Sequence, residues 1–294
     1  MRKFTIFIAV ALVLWLPLQA QAVQLLVPGG QLIGIELLDD TVTVAAFDEQ
    51  SGSAAKSAGL QVGDRITAVD GKAVHSAQDV RQALSTSGGG TVEVTVLRDG
   101  KVKKLRLKPV ISDQGPRLGV YLKQGVSGVG TVTWYDPQTR QFGALGHGVN
   151  TGDGALLRMV QGRIYRASVV SVRTGRTGDP GQLMGSLQGG QVVGKLEKNT
   201  VQGVFGTIQM EIPGEKLPVA EPDQVRTGPA TIRSTVSGDQ VREYSVEILR
   251  IYPNSPSAGR NMLLKITDPA LLEATGGIVQ GMGVSYNKDN QWNP

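Results

Sequence analysis

Residues 59–71 read Gly59-Leu60-Gln61-Val62-Gly63-Asp64-Arg65-Ile66-Thr67-Ala68-Val69-Asp70-Gly71. Gly59 closes a short helical stretch, Ala54 to Ala58, at the position where many helices end on glycine. Asp70-Gly71 signals a tight turn, because glycine accepts positive φ. Upstream, Leu32, Ile33, Ile35 and Leu37 form an apolar run around Gly34, and a second strand, Thr41 to Ala45, follows Asp39-Asp40. Downstream, Ser76 opens a helix. Its hydroxyl can cap free N–H groups, and Asp79 sits in the first turn, where the helix dipole favours an anion. Val80, Ala83 and Leu84 share one face at helical spacing, and Gly88-Gly89-Gly90 ends the helix. Val92, Val94 and Val96 alternate as in a half-buried strand, and Arg98 to Lys101 turns the chain into Val102 to Leu107.

This order, with Gly59-Leu60, Gly63-Asp64, Ile66 and Asp70-Gly71 in place, resembles a PDZ domain over about 80 residues. The resemblance implies a module that binds an extended peptide by adding it as a strand to a sheet edge. Gly34 and Ile35, after Gln31-Leu32-Ile33, match the loop whose backbone N–H groups meet the peptide carboxylate. The helix carrying Ser76, Val80 and Ala83 matches the other wall. Ile35 and Val80 fit equally well as core residues, since apolar helix stripes usually face a core. His75, one position before the helix, reads as a cap or surface residue.

Ser112-Asp113-Gln114-Gly115-Pro116 reads as a linker. Beyond it, short strands alternate with glycine-rich turns: Leu118 to Leu122, Gly130 to Tyr135, Ser168 to Val172, Gln191 to Leu196, Val204 to Met210 and Ser245 to Ile251. That density suits a barrel or sandwich. Pro269 to Ala274 carries a helical turn or two. In Phe142-Gly143-Ala144-Leu145-Gly146-His147-Gly148, glycines on both sides let the backbone bend and leave the imidazole accessible. From spacing alone, a single histidine fits a structural role as readily as a catalytic one.

Gly130-Thr131-Val132-Thr133, Tyr135-Asp136-Pro137 and Phe142 to His147, with Leu263 to Asp268 and Thr275 to Met282, resemble the stage IV sporulation protein B family of serine peptidases. The resemblance runs from about Val27 to Met282. It implies that His147 is a general base, taking a proton from a serine hydroxyl as the oxygen attacks a peptide carbonyl. Asp268 matches the acid that orients the imidazole, with Asp153 as a rival; Asp268 also reads as a cap on the helix after Pro269. At the nucleophile the family's Gly-Met-Ser-Gly-Ser-Pro gives way to Gly281-Met282-Gly283-Val284-Ser285-Tyr286. Gly283 stands where the attacking serine belongs, and Ser285 stands at the second serine. Two residues along a strand displace a hydroxyl by about 6–7 Å, so Ser285 is a weak substitute. Asn287 to Pro294 matches nothing in the family, and the last twelve residues read as an out-of-frame or rearranged tail, which makes a weak or inactive peptidase.

The expected fold is mainly β. Residues 1–22 read as a signal peptide or anchor, and residues 28–110 as a PDZ domain, β-rich with two helices. Residues 117–294 read as an all-β peptidase domain lacking its last strands. The order His, Asp, Ser occurs in chymotrypsin-type enzymes and suggests a double barrel.

The leader reading rests on Arg2-Lys3, the apolar run Phe4 to Leu18, and the small-x-small site Ala20-Gln21-Ala22. It places the rest of the chain outside the cytoplasm. The chain has no cysteine, so disulfides and thiolate chemistry are excluded; two histidines, His75 and His147, argue against a histidine metal cage. No metal or cofactor is expected. The formal charge of +5 falls to +3 without Arg2 and Lys3, and basic residues are scattered, so no nucleic-acid partner is expected. By resemblance, the partners are a protein or peptide substrate, the chain itself through self-cleavage, and a membrane-bound regulator in the forespore intermembrane space. The competing expectation is an extracytoplasmic PDZ protein that binds peptides without cutting them.

Overall fold

A computed structural model of the chain describes residues 24–152, 154–176, 178–252, 262–277 and 279–280 in full, and residues 284–287 as backbone. The chain opens with β1 (Leu25–Pro28) and β2 (Leu32–Leu38). Next come β3 (Val42–Phe47), α1 (Ser53–Ser57), β4 (Arg65–Val69), β5 (Lys72–Ala73), α2 (Ala77–Thr86), β6 (Val92–Arg98) and β7 (Lys101–Leu107). A hairpin of β8 (Val110–Ser112) and β9 (Gly115–Arg117) leads to β10 (Val120–Lys123). The second half contains β11 (Val126–Tyr135), β12 (Gln141–Ala144), β13 (Gln161–Arg173), β14 (Gln182–Thr200), β15 (Gly203–Ile208) and β16 (Leu217–Pro218). It continues with β17 (Gly228–Ser234), β18 (Arg242–Ile251), β19 (Met262–Ile266), α3 (Pro269–Thr275) and β20 (Val284–Asn287).

The first sheet runs β10-β3-β4-β6-β7, with β5 against β4. Val92, Val94 and Val96 project into its core beside Val42, Val44, Ile66, Val80 and Leu84, as the alternation requires. α2 starts at its expected cap: Ser76 Oγ accepts the Asp79 N–H at 3.0 Å, and Asp79 Oδ2 accepts the His75 N–H at 2.9 Å. Asp70, at φ 48°, and Gly71, at φ 75°, make the expected turn.

The strands of the second half form a closed barrel. Its ring is β12-β15-β14-β13-β2-β11, and β12 pairs with β11 to shut it; β1 and β16 extend it beside β11. Ile33, Ile35 and Leu37 alternate into the interior with Val132, Phe142, Ile164, Val204 and Ile208. The remaining strands make an open four-stranded sheet, β19-β18-β17-β20, packed around Ile232, Tyr244, Val246, Ile266 and Leu271. Thr235 Oγ1 ties this sheet to the barrel by donating to the Gly30 carbonyl at 2.9 Å, and the Arg233 guanidinium donates to the Pro28 carbonyl. Among the described residues the expected pair of barrels is one closed barrel and one open sheet.

The structure departs from the expected 28–110 boundary. β2 belongs to the barrel, pairing with β11 (Leu37 opposite Val126, Ile35 opposite Gly128) and with β13 (Ile35 opposite Ile164). The first sheet, with its helices, is therefore inserted between two neighbouring barrel strands. Gly34 and Ile35 are consequently not a peptide-binding loop: both lie in a central barrel strand with ladders on either side. Val80 is a core residue rather than a groove residue, at 1% exposure. The segment read as a linker folds into the β8–β9 hairpin, and β10 completes the first sheet rather than opening the second domain.

Candidate active site

β12 ends at Ala144, and the chain then turns through two left-handed residues, Leu145 at φ 76° and Gly146 at φ 69°. Leucine pays a steric cost in that region, so the surroundings must hold it there. The Leu145 N–H donates to the Thr131 carbonyl at 3.2 Å. Its side chain covers Gly130, where an added β-carbon would lie 2.2 Å from Leu145 Cδ2. His147 follows, exposed to solvent. Its Nδ1 lies 3.0 Å from the Gly148 carbonyl oxygen, which can only accept. In the neutral ring, Nδ1 therefore carries the proton, and Nε2 is left as the acceptor.

The loop after His147 is braced from β14. Asn199 Oδ1 accepts the Val149 N–H at 2.9 Å, and Nδ2 donates to the carbonyls of Val149 (2.8 Å) and Leu157 (2.9 Å). Gly148 lies so close to β14 that an added β-carbon would sit 2.6 Å from the Thr200 carbonyl. Asn199 is absent from the sequence candidates. An amide between Lys198 and Thr200 carries no motif, and only strand pairing shows what it faces.

The C-terminal segment docks onto the barrel through backbone bonds. The Thr275 carbonyl accepts the Gly175 N–H at 2.8 Å, and Thr275 Oγ1, fully buried, donates to the Leu271 carbonyl at 2.7 Å. Gln280 then pairs with the start of β14: its N–H donates to Gly181 at 2.8 Å, and its carbonyl accepts the Leu183 N–H at 3.1 Å. Val279 is buried with Leu32, Ala167 and Leu183, and Val129 packs on the same cluster. The His147 loop thus leans on Gly130 through Leu145, which packs against the barrel-interior cluster, whereas the segment leading to Gly283 packs in a separate cluster that Val129 joins on the other face of β11. Gly281 to Gly283 lie outside the described residues, as does Asp153. Ser285 lies in β20, opposite Ile232.

Asp268 is the N-cap of α3, where Oδ1 accepts the Leu271 N–H at 3.0 Å. Its carboxylate bonds that amide and the imidazole bonds the Gly148 carbonyl, so the two side chains are engaged separately.

In the first module, α2 packs against β9 and β4, and a single hydrogen bond joins its start to the end of β10. Gln124, just past β10, donates through Nε2 to the His75 carbonyl at 3.1 Å, which joins the end of β10 to the start of α2. β10 is an edge strand of its sheet, and Gly119, at φ 73°, turns the chain into it. Leu118-Gly119-Val120 has the apolar-Gly-apolar pattern sought at Gly34 and Ile35, but it follows β7 in the chain instead of preceding β3. Ser76 serves as the helix cap. Among the described residues, no group of three or more His, Asp or Glu gathers as metal ligands would, and no helix is long and apolar enough to cross a membrane.

Comparison with known proteins matches residues 114–290 to the family model of SpoIVB peptidase S55 and residues 48–98 to that of the PDZ domain. A zinc metalloprotease by name from Agrobacterium fabrum is 35% identical over 82 residues, covering 28% of this chain and 22% of that protein. A do/HhoA-like periplasmic serine protease by name from Haemophilus influenzae is 32% identical over 115 residues, covering 34% of this chain and 24% of that protein. The chain thus spans about a fifth to a quarter of the length of these curated relatives. Among solved structures, the PDZ domain of an SdrC-like protein from Listeria monocytogenes aligns with a TM-score of 0.24 and 28% identity, covering 28% of this chain and 87% of that one.

Proposed function

Because the chain belongs to the SpoIVB peptidase S55 family, as a PDZ-containing serine peptidase-like protein, we propose that it descends from an extracytoplasmic endopeptidase in which His147 is the general base. The observation that carries this reading is the hydrogen bond from His147 Nδ1 to the Gly148 carbonyl. It orients an exposed imidazole with Nε2 available to accept a proton from a hydroxyl. In this geometry the backbone carbonyl takes the orienting place expected of Asp268. By family membership the hydroxyl would come from the segment after Gln280, whose start is anchored at the head of β14. The substrate is a protein segment. The PDZ module supports it by offering the free β10 edge of its sheet to an extended chain. Export outside the cytoplasm rests on the leader sequence. A role in sporulation signalling, through a membrane-bound regulator, rests on family membership.

Zinc chemistry is not carried over from the relatives' names, given the short shared length. The second reading is peptide binding without cleavage. It is favoured by one residue, Gly283, at the nucleophile's position. Casein cleavage by the full chain, with His147→Ala as control, separates the two. Cleavage that drops by about 10²–10⁴-fold in the variant supports the peptidase. No cleavage by either protein leaves the binding reading.

A further inference from the structure

A cavity of about 380 Å³ opens on the outer face of the barrel beside the His147 loop. Its wall is an aromatic pair, Trp134 of β11 and Phe205 of β15, with ring centroids 6.4 Å apart and planes tilted by 41°. Gly143 of β12 underlies both rings: a β-carbon there would lie 2.4 Å from Trp134 Nε1 and 3.2 Å from Phe205 Cε1. The far side is the β14–β15 turn, with Thr200 and Gln202. Gln141, Phe142, Glu197, Lys198 and Gly206 complete a mixed lining, and the opposite charges of Glu197 and Lys198 leave the cavity favouring neither an anion nor a cation. Its size falls at the small end of the range for binding pockets, suited to one or two side chains.

The cavity and the candidate catalytic loop meet at Thr200. Thr200 lines it, and Gly148 packs directly on the Thr200 carbonyl. The next residue inward, Asn199, bonds Val149 and Leu157. The recess, part aromatic and part polar, and the loop that carries His147 therefore share one support at the end of β14.

We propose that this recess is a specificity subsite, receiving an aliphatic or aromatic side chain of the polypeptide substrate next to the bond presented to His147. The proposal rests on the peptidase reading for its substrate, while its binding can be measured without cleavage. The probes are fluorescein-labelled nonapeptides that differ only in a central Phe, Leu, Ser or Glu. Their C-termini are amidated, which removes the carboxylate that a PDZ groove captures. Polarisation is measured on the full chain carrying His147→Ala. The Phe and Leu peptides should bind about tenfold more tightly than the Ser and Glu peptides. That preference should vanish in Trp134→Ala. It should also vanish in Gln202→Trp, an exposed turn position where folding is not at risk and a larger ring closes the mouth. Equal affinity for all four peptides, or a preference that survives both substitutions, overturns the subsite. A preference that vanishes as expected in a chain unable to cleave casein supports the subsite and removes only the peptidase reading.

Discussion

Asn199 grips Val149 at both of its backbone groups, accepting the N–H at 2.9 Å and donating to the carbonyl at 2.8 Å. Val149 is two residues from His147, so this grip sets the height at which the imidazole leaves the barrel. Replacing Asn199 by Ala frees the loop and strands three partly buried backbone groups. A displacement of about 1 Å at a reacting group can cost about 10²-fold in rate. Asn199→Ala should lower casein cleavage by that order, mainly in kcat, with a smaller change in KM. A loss confined to KM would make Asn199 part of substrate binding.

Asp268 can be tested by two substitutions with opposite expectations. Asn caps a helix about as well as Asp, whereas Ala costs about 1 kcal/mol. With its carboxylate engaged at Leu271, Asp268→Asn should leave both unfolding and cleavage near the parent's, while Asp268→Ala lowers stability by about 1 kcal/mol in urea titration. Cleavage that collapses in Asp268→Asn with stability unchanged would return the residue to the catalytic group.

Gly283 is the third test. If the family's attacking hydroxyl belongs there, Gly283→Ser should gain labelling by a serine-directed phosphonate, and that labelling should depend on His147. Labelling of Ser285 in the parent chain would show that the neighbouring hydroxyl already serves.

The PDZ module carries a pH-dependent clasp. Asp64 is fully buried and meets Arg98 in two bonds, Nε to Oδ1 and Nη2 to Oδ2, both 2.6 Å, while also accepting the Gln61 N–H at 2.9 Å. Burial pushes the carboxyl upward. The Arg98 and Gln61 hydrogen bonds and the charges of Arg98 and Lys103 outweigh it, and the group is held below the ordinary carboxylate range. A lowered folded-state value means stabilisation that is present above the unfolded carboxylate's range, near pH 4, and is lost as pH falls through the folded value. Removing one partner of a buried pair costs about 3–5 kcal/mol. Asp64→Ala should therefore lower the stability of this module by that order at pH 7. The gap from the parent should narrow in urea titrations as the pH falls below 4. A gap independent of pH would assign the loss to packing alone.

The PDZ elements were legible because their signals are local: Ser76 caps α2, Gly59 and Asp70-Gly71 turn the chain, and Val92, Val94 and Val96 alternate. β2 was legible as a strand but not as a barrel strand, since its run of apolar residues reports burial and not the identity of partners in β11 and β13. The same gap explains Gly34 and Ile35. Their apolar-Gly-apolar pattern recurs at Leu118-Gly119-Val120, and only the sheet order distinguishes the two. At the site, glycines flagged the His147 loop correctly as a sharp bend. The support from Asn199 and the anchoring of Gln280 on β14 depend on contacts between distant segments, which no short motif records.

Leu37 and Val126 face each other across a ladder, yet about ninety residues of chain leave and return between them. During synthesis β2 must wait for β11, so the barrel can close only after the intervening module has been made. Once closed, that module hangs by two covalent threads from adjacent staves. A tug on a captured peptide would then reach both staves at once, at the wall that also carries Val129 and Gly130.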